Sequence, residues 1–389
     1  MPLRSIELFA GAGGLGMGFS AAGVAHSAIV EWDDYACDTL RENKRKGVVP
    51  ICHWPDVFDD DVRMFDYRGH EGIDLVTGGP PCQPFSMGGK HRGFLDDRDM
   101  FPETFRAVRA TRPRAFAFEN VRGLTRPMFF NYFTYILLQL EFPSLEARPR
   151  EKWMDHLARL EREKTSGAAS EYRVVARVLN AADYGVPQKR ERVLIVGFRA
   201  DTNQEWNFPR PTHSQDALLY AQWVSMDYWD QHEVPKRARP KLAPTLRNKI
   251  AALRDSIPST LLQPWRTVRD AIGDLPDPES PDKESIQQAH RFQPGARSYQ
   301  GHTGSPLDEP AKTLKAGDHG VPGGENMLRR PDGSVRYFTV RESARIQTFP
   351  DQFIFHGSWT ESMRQLGNAV PVGLAASVAR SVCDRLLTT

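Results

Sequence analysis

Short apolar runs alternate with helical patterns over about the first 120 residues, and no other feature of the sequence constrains the fold as strongly. Runs typical of strands occupy residues 5–9, 28–31, 73–77 and 115–119. Helical patterns occupy residues 15–22 and, after an N-cap at Asp33, the stretch up to about residue 43. Because strands and helices that alternate in this way build parallel sheets, the sequence predicts an α/β fold with a doubly wound sheet.

The rest of the chain predicts two further regions. Apolar runs at 172–179 and 192–198 extend the sheet, and helical patterns at 131–141 and 151–164 indicate an insertion at about 125–170. Prolines and weak periodicity after residue 208 predict irregular or short-stranded structure, and a C-terminal helix follows at 372–387. We therefore predict a sheet domain, a smaller irregular domain, and a C-terminal segment that returns to the sheet domain. Their predicted bounds are residues 1–204, 205–335 and 336–389.

Composition excludes several classes of protein. The 389 residues are 40% hydrophobic and 26% charged, as in ordinary globular proteins. No continuous apolar run approaches the ~20 residues that span a bilayer. The N-terminus lacks the pattern of a signal peptide, so we expect an intracellular protein. The four cysteines are widely spaced, and neither a zinc site nor a disulfide framework is predicted.

Charge is uneven along the chain although the net charge is only +2. Residues 232–269 contain nine Lys or Arg residues against two acidic ones. Such a segment is either a solvated basic loop or a surface that contacts phosphates. The sequence leaves these alternatives equal.

A glycine-rich loop, residues 9–16 (FAGAGGLG), lies between the first predicted strand and its helix. Glycines there allow close approach to a ligand, and the helix N-terminus offers free N–H groups. At the end of the next strand, Glu31 can accept hydrogen bonds from ribose hydroxyls, and Trp32 can stack on a purine or serve as a core aromatic. The pattern predicts a nucleoside-bearing cofactor, either an anionic dinucleotide or a cationic S-adenosylmethionine.

A lone cysteine, Cys82, follows the third predicted strand within residues 79–86 (GPPCQPFS). A rigid loop at the rim of a sheet suits a nucleophile, but a buried structural cysteine is the commoner fate of a lone thiol. Two further charged patterns invite two interpretations. Glu119 lies at the end of a predicted strand and is either a functional carboxylate or a member of a salt bridge. Arg190 and Arg192 alternate along a predicted strand, so they point to the same face and are either functional or ordinary surface charge.

The ordered set of motifs closely resembles the (cytosine-5) DNA methyltransferases. Beside the glycine-rich loop, five segments match in order: PPCQ at 80–83, FENV at 118–121, QKRER at 188–192, RESARIQTFP at 341–350 and QLGNAVP at 365–371. The resemblance covers about two-thirds of the chain. It implies a Rossmann-like sheet that uses S-adenosylmethionine, yields S-adenosylhomocysteine and needs no metal, joined to a smaller target-recognition domain at 205–335.

The resemblance implies a catalytic role for four residues. Cys82 adds to C6 of a flipped-out cytosine, and Glu119 hydrogen-bonds N3, for which its pKa must be raised by desolvation. Arg192 reaches the cytosine O2, and Arg190 braces the catalytic loop. A larger set is implied to bind the cofactor: Phe9, Gly11, Gly13, Leu15, Glu31, Trp32, Asp56, Pro80, Asn368 and Val370.

The resemblance also implies double-stranded DNA as the partner. Four residues in and after the Cys82 loop are expected to approach DNA: Gln83, Ser86, Lys90 and Arg92. The alternative interpretation of this segment is an ordinary mobile surface loop. We expect a monomer in the bacterial cytoplasm that acts on chromosomal DNA, with no membrane contact. A cognate restriction endonuclease would share its site without binding it. The alternatives are cytosine methylation in transfer RNA and a non-catalytic DNA-binding protein of the same fold.

Overall fold

The computed structural model describes residues 2–81, 99–255, 262–280, 288–300, 302–317 and 324–388. The chain forms two compact units. The first comprises Met1–Leu179, Glu191–Pro209 and Ala375–Thr389, and the second comprises Asn180–Arg190 and Arg210–Leu374. Each unit is described separately below.

A seven-stranded sheet forms the centre of the first unit, with strand order β3-β2-β1-β4-β5-β7-β6. Neighbouring strands from β3 to β5 are parallel, whereas β7 runs antiparallel to β5. The predicted α/β class is confirmed. The sequence missed the short edge strand β3. The strands along the chain are β1 Arg4–Leu8, β2 Ala25–Glu31, β3 Val57–Asp59, β4 Leu75–Gly78, β5 Ala115–Val121, β6 Tyr172–Asn180, β7 Glu191–Arg199, β8 His213–Ser214, β9 Gln263–Pro264, β10 Ser305–Pro306, β11 Met327–Arg329 and β12 Val335–Tyr337.

Helices cover the sheet and also occur in the second unit. Asp33 caps its helix as predicted, because its carboxylate accepts a hydrogen bond from the Ala36 N–H at 3.0 Å. The helices along the chain are α1 Gly14–Ala21, α2 Asp34–Arg45, α3 Phe101–Thr111, α4 Phe130–Glu141, α5 Trp153–Thr165, α6 Gln215–Trp223, α7 Asp227–Gln231, α8 Arg247–Asp255, α9 Val268–Ile272, α10 Val340–Ile346, α11 Trp359–Asn368 and α12 Val372–Leu387.

The beginning of α12, at Ala375 and Ala376, packs on α1. A Cβ atom added to Gly18 would lie 2.3 Å from the Cβ of Ala375 and 2.6 Å from the backbone nitrogen of Ala376, so only glycine permits this approach. Farther along α12, the carbonyl of Leu386 accepts a hydrogen bond from Arg114 at 2.7 Å. The end of the chain therefore completes the first unit.

One stretch, Trp359–Leu387, is long and apolar enough to cross a membrane by length and composition. It contains two helices, α11 and α12, and 67% of its most apolar window is buried. The prediction that no apolar run is long enough to span a bilayer therefore holds only for continuous runs, because this stretch is interrupted between α11 and α12. A buried, interrupted stretch of this kind is typical of core helices.

The second unit contains the short strands that the sequence predicts, β8 to β12, and also the short helices α6 to α9, which it does not predict. The described part of residues 210–280 contains four helices, three of them amid frequent prolines, and a small three-stranded sheet pairs β10, β11 and β12. Helices of five to nine residues leave too little periodicity to be detected. The units also divide the chain differently from the predicted bounds, because residues 336–374 group with 210–335.

Candidate active site

The glycine-rich loop joins β1 to α1 in a conformation that favours glycine. Its φ angles are 55° at Phe9, 53° at Gly11 and 86° at Gly13. A Cβ atom on Gly13 would also lie 3.1 Å from the Trp54 ring. Leu15, one residue into α1, is buried. The loop thus leads directly into the N-terminus of α1, where the Glu7 carboxylate accepts the backbone N–H of Gly16.

Glu31 ties the end of β2 to this loop. One carboxylate oxygen accepts the Gly11 N–H at 2.6 Å, and the other accepts the N–H groups of Trp32 and Asp33, both at 2.9 Å. Glu31 is buried, which raises its pKa, although the backbone donors oppose that shift. Three donors leave lone pairs on the carboxylate for further hydrogen bonds.

Trp32 and Asp56 are both exposed. The Trp32 side chain is 68% exposed, so the core alternative for this aromatic is wrong. Asp56 makes an ion pair with the Lys44 ammonium at 2.6 Å, and this hydrogen bond lowers the pKa of Asp56. A depression lined by α2 and residues 51–57 lies next to Asp56. A flat aromatic face and a carboxylate are therefore both available to a ligand.

The ends of β4 and β5 are fastened together at the rim of the sheet. The Asn120 side chain donates to the Pro80 carbonyl at 2.9 Å. A Cβ atom on Gly79 would lie 3.3 Å from a carboxylate oxygen of Glu119. The Met100 N–H lies 3.4 Å from the Pro81 carbonyl oxygen, so Met100 lies next to the end of the β4 segment. The segment that leads into the PPCQ motif is thereby placed against Glu119.

Glu119 and Arg192 form an ion pair between neighbouring strands. The Arg192 Nε lies 2.7 Å from a carboxylate oxygen of Glu119, and the Arg192 and Glu119 side chains are 11% and 9% exposed. Burial lowers the pKa of Arg192, and the charge of Glu119 opposes that shift. A cation and a carboxylate therefore lie together beside Gly79, at the end of β4.

Five predicted site residues lie outside the described residues. They are Cys82, Gln83, Ser86, Lys90 and Arg92. Cys82 follows Pro81 directly in the sequence. Its expected role and those of the four DNA-contacting residues stay predictions.

Arg190 lies in the second unit and is fully buried. Because β7 begins at Glu191, Arg190 precedes the strand, and the expected alternation with Arg192 does not apply to it. Its guanidinium donates to the carbonyls of Leu314, Gly367 and Ala369 at 2.9, 2.6 and 2.9 Å. Arg190 thus fixes backbone rather than offering a free charge.

A buried amide network joins three motifs within the second unit. Gln188 accepts the Leu314 N–H and donates to Gln347, each at 3.1 Å, and Gln347 donates to the Leu366 carbonyl at 2.5 Å. The QKRER, RESARIQTFP and QLGNAVP motifs therefore share one set of hydrogen bonds. In the last motif Asn368 is exposed and Val370 is buried, and their expected contact with the cofactor stays a prediction.

The sequence pattern of the C-5 cytosine-specific DNA methylase family matches residues 3–143 and 164–384 of the chain. The chain belongs to this family. The family resemblance inferred from the motifs is confirmed. Residues 144–163, which the match omits, fall within the predicted insertion and include most of α5.

Named methyltransferases align over nearly the whole chain. It is 32% identical to the type II methyltransferase M.NgoMIV of Neisseria gonorrhoeae, with 99% of each chain covered. It is 33% identical to the type II methyltransferase M.PspPI of Psychrobacter sp. (strain TA137), with 99% of this chain and 80% of that one covered. Both similarities therefore include the sheet domain and the region predicted to recognise the target.

Solved methyltransferase structures share the fold. The S. pombe Dnmt2 methyltransferase gives a TM-score of 0.56 at 17% identity, with 99% of each chain covered. The Entamoeba histolytica methyltransferase EhMeth gives 0.56 at 15% identity with the same coverage. At these identities the likeness concerns the fold alone.

Three buried residues of this methyltransferase were not singled out from the sequence: Glu7, Asn120 and Gln347. Glu7 accepts a hydrogen bond from Thr77 beneath the glycine-rich loop, and burial raises its pKa to about 8. Asn120 lies next to Glu119 in the FENV motif, and Gln347 lies in the RESARIQTFP motif, in which no residue was assigned a role. A polar side chain within an apolar run was the available signal for Glu7 and Asn120.

Proposed function

We propose that this methyltransferase transfers a methyl group from S-adenosylmethionine to C5 of cytosine at a defined sequence in duplex DNA. The observation that carries the proposal is the Glu119–Arg192 pair at the rim where the PPCQ segment is fastened. A thiol, a carboxyl group and a guanidinium are the groups that this reaction needs from the protein.

The protein's part in the reaction begins with the thiolate. The target base must leave the duplex, because its reacting atoms are hidden by stacking and pairing. The Cys82 thiolate then adds to C6, which makes C5 nucleophilic enough to take the methyl group. A base removes the C5 proton, and the electron pair expels the thiolate. The ring is restored and the enzyme is regenerated.

Glu119 and Arg192 change partners in this proposal. In the free protein the guanidinium stabilises the ionised carboxylate, which opposes the proton donation expected of Glu119. When cytosine enters, Arg192 turns to the ring O2 and the carboxyl group takes a proton that it shares with N3. Glu119 then faces the desolvated base instead of the Arg192 cation, and this change favours its protonated form.

The residues around the glycine-rich loop fit S-adenosylmethionine, which supplies an electrophilic methyl group when bound. Glu31 has lone pairs left for the ribose hydroxyls, and the exposed Trp32 indole offers a face for adenine. Asp56 offers an acceptor for an amino group. Carboxylates near the site favour a cationic ligand over an anionic dinucleotide.

Trp32→Ala is expected to weaken cofactor binding about tenfold, because loss of one stacked aromatic costs about 1 kcal/mol or slightly more. The side chain is 68% exposed, so the fold should tolerate the change. Titration calorimetry with S-adenosylmethionine measures the effect. The matched control is Met64→Ala, which removes an equally exposed apolar side chain. Equal affinity in the two variants would remove Trp32 from the site.

Glu119→Gln is expected to lower kcat by about 10²- to 10⁴-fold, the usual range for loss of a group that transfers a proton in the transition state. The KM for cofactor should stay unchanged. Arg199→Ala, at the far end of β7 with Asp201 as its partner, is the control for a lost charge pair on that strand. A Glu119→Gln enzyme with normal kcat would contradict the assigned role.

The similarity to two type II methyltransferases supports a place in a restriction–modification system. In this role the enzyme acts as a monomer in the bacterial cytoplasm, where it marks chromosomal DNA. A cognate endonuclease reads the same site without binding the enzyme. Residues 205–335 would supply the base-edge contacts that select the sequence.

The decisive experiment incubates purified protein with labelled S-adenosylmethionine and duplex DNA. Bisulfite sequencing then identifies 5-methylcytosine and its sequence context. A parallel reaction with transfer RNA tests the competing substrate. Methylation of transfer RNA alone, or of neither substrate, would overturn the proposal.

A further inference from the structure

A basic surface of the second unit has not been assigned any part in the reaction. It lies on residues 232–255, which hold seven Lys or Arg residues and two acidic residues. The segment runs from the end of α7 through α8. We refer to it below as the basic segment.

Most cations of the basic segment have no hydrogen-bond or ion-pair partner in the part of the chain that the structure describes. Arg239 pairs with Asp230 at 3.2 Å and Lys249 pairs with Asp216 at 2.5 Å. The other five are exposed and make no hydrogen bond or ion pair with any residue in the described ranges. These five are Lys236, Arg237, Lys241, Arg247 and Arg254.

Three exposed arginines of the first unit are each paired with an acidic residue close in sequence. Arg45 pairs with Glu42, and Arg63 and Arg68 pair with aspartates two positions before them in the chain. These surface cations are therefore neutralised locally. Five cations that have no ion-pair partner among the described residues lie within nineteen residues, 236–254, and give the basic segment a positive field.

The basic segment is anchored by an apolar core. Trp229 is almost completely buried and donates its ring N–H to the Gln222 carbonyl. In α8, Ile250 and Leu253 pack with Leu219. The cations are therefore carried by folded chain, and their side chains extend from a fixed base.

The geometry of α8 suits a regularly charged partner. Arg247 and Arg254 are seven residues apart, so they lie on one side of α8, next to the buried Ile250, and both are exposed. Seven residues of α-helix span about 10 Å, which is about three base-pair steps along a duplex. A row of phosphates offers charges at that spacing.

We propose that the basic segment binds the sugar–phosphate backbone of duplex DNA outside the base pairs that are read. The contact raises affinity for any duplex and leaves the choice of sequence unchanged, since phosphates carry no base information. This inference rests on duplex DNA being the substrate. The opposite alternative is a basic surface that is only solvated.

The test neutralises the loop cations in the triple variant Lys236→Gln, Arg237→Gln, Lys241→Gln. The slope of log Kd against log salt should fall by about 2 to 3, because each lost phosphate contact removes about 0.9. Binding at low salt should weaken about tenfold or more, equally for duplexes with and without the methylated site. The rate of methylation at saturating DNA should stay unchanged.

The control removes the same charge from the first unit, in the triple variant Arg45→Gln, Arg63→Gln, Arg68→Gln. Its salt slope should match that of the wild type. Equal slopes in the two triple variants would overturn the inference, and so would a loss confined to duplexes with the recognition sequence. Failure of the wild type to methylate duplex DNA would count against the proposed function instead, since binding and its salt slope are measured without turnover.

Discussion

Replacing Cys82 with alanine is expected to abolish methyl transfer, with a loss of about 10⁴-fold or more in kcat, as when the nucleophile of a covalent enzyme is removed. Without addition to C6, C5 of cytosine stays a poor nucleophile and does not attack the methyl group. Turnover is measured by transfer of labelled methyl groups to duplex DNA. Binding of DNA should persist in the variant, because the thiol contributes to reaction and not to the phosphate contacts.

Trapping of the covalent adduct provides a second measurement on the same variant. DNA with 5-fluorocytosine at the target should form a stable covalent complex with the wild type, since the final elimination needs a proton at C5. The Cys82→Ala protein should form no such complex. The Glu119→Gln variant retains the thiol and serves as the comparison. Residual turnover in Cys82→Ala near the wild-type rate would disprove the nucleophilic role.

Arg190→Ala is expected to lower the free energy of unfolding of the second unit by about 3 kcal/mol or more. The change removes the guanidinium donor from three buried carbonyl groups, of which that of Ala369 keeps a longer hydrogen bond from Gln347 at 3.3 Å, and it removes a large buried side chain. Urea denaturation followed by tryptophan fluorescence measures it. Arg190→Lys should recover only part of the loss, because an ammonium does not reproduce the planar fork of a guanidinium.

The adjacent Lys189 provides the matched control. Its ammonium pairs with Glu309 at the surface, and the side chains are 40% and 55% exposed. Lys189→Ala should therefore change stability by less than about 1 kcal/mol. An Arg190→Ala protein as stable as Lys189→Ala but inactive would show that the guanidinium acts in the chemistry.

Local patterns in the sequence were enough to place the sheet and both acidic strand ends. Period-two and 3.6-residue patterns located β1, β2, β4 and β5, and with them Glu31 and Glu119. A capping residue located the start of α2. Each of these signals lies within a few residues of the feature that it predicts.

Contacts between distant parts of the chain were not predictable in this way. Gln188 and Gln347 are separated by 159 positions, and no local pattern pairs them. Arg192 lies in β7 and Arg190 lies just before it, because β7 begins at Glu191. A shift of one residue in the start of a strand moves a side chain from the sheet to the loop, and the sequence does not fix that start to one residue. The short helices α6 and α7 are held by packing that includes Tyr228 and Trp229, and α8 packs through Ile250 and Leu253, so none of them needs a long amphipathic repeat.

The contact between Gly18 and α12 has a consequence for how the protein is made. A ribosome adds about 5 to 20 residues per second, so α1 waits on the order of 20 to 70 s for the helix that covers it. Throughout that interval the small-residue face of α1 is exposed to the cell. The first unit is therefore completed only after residues 375–387 have been synthesised, and the sheet until then lacks the helix that packs on α1.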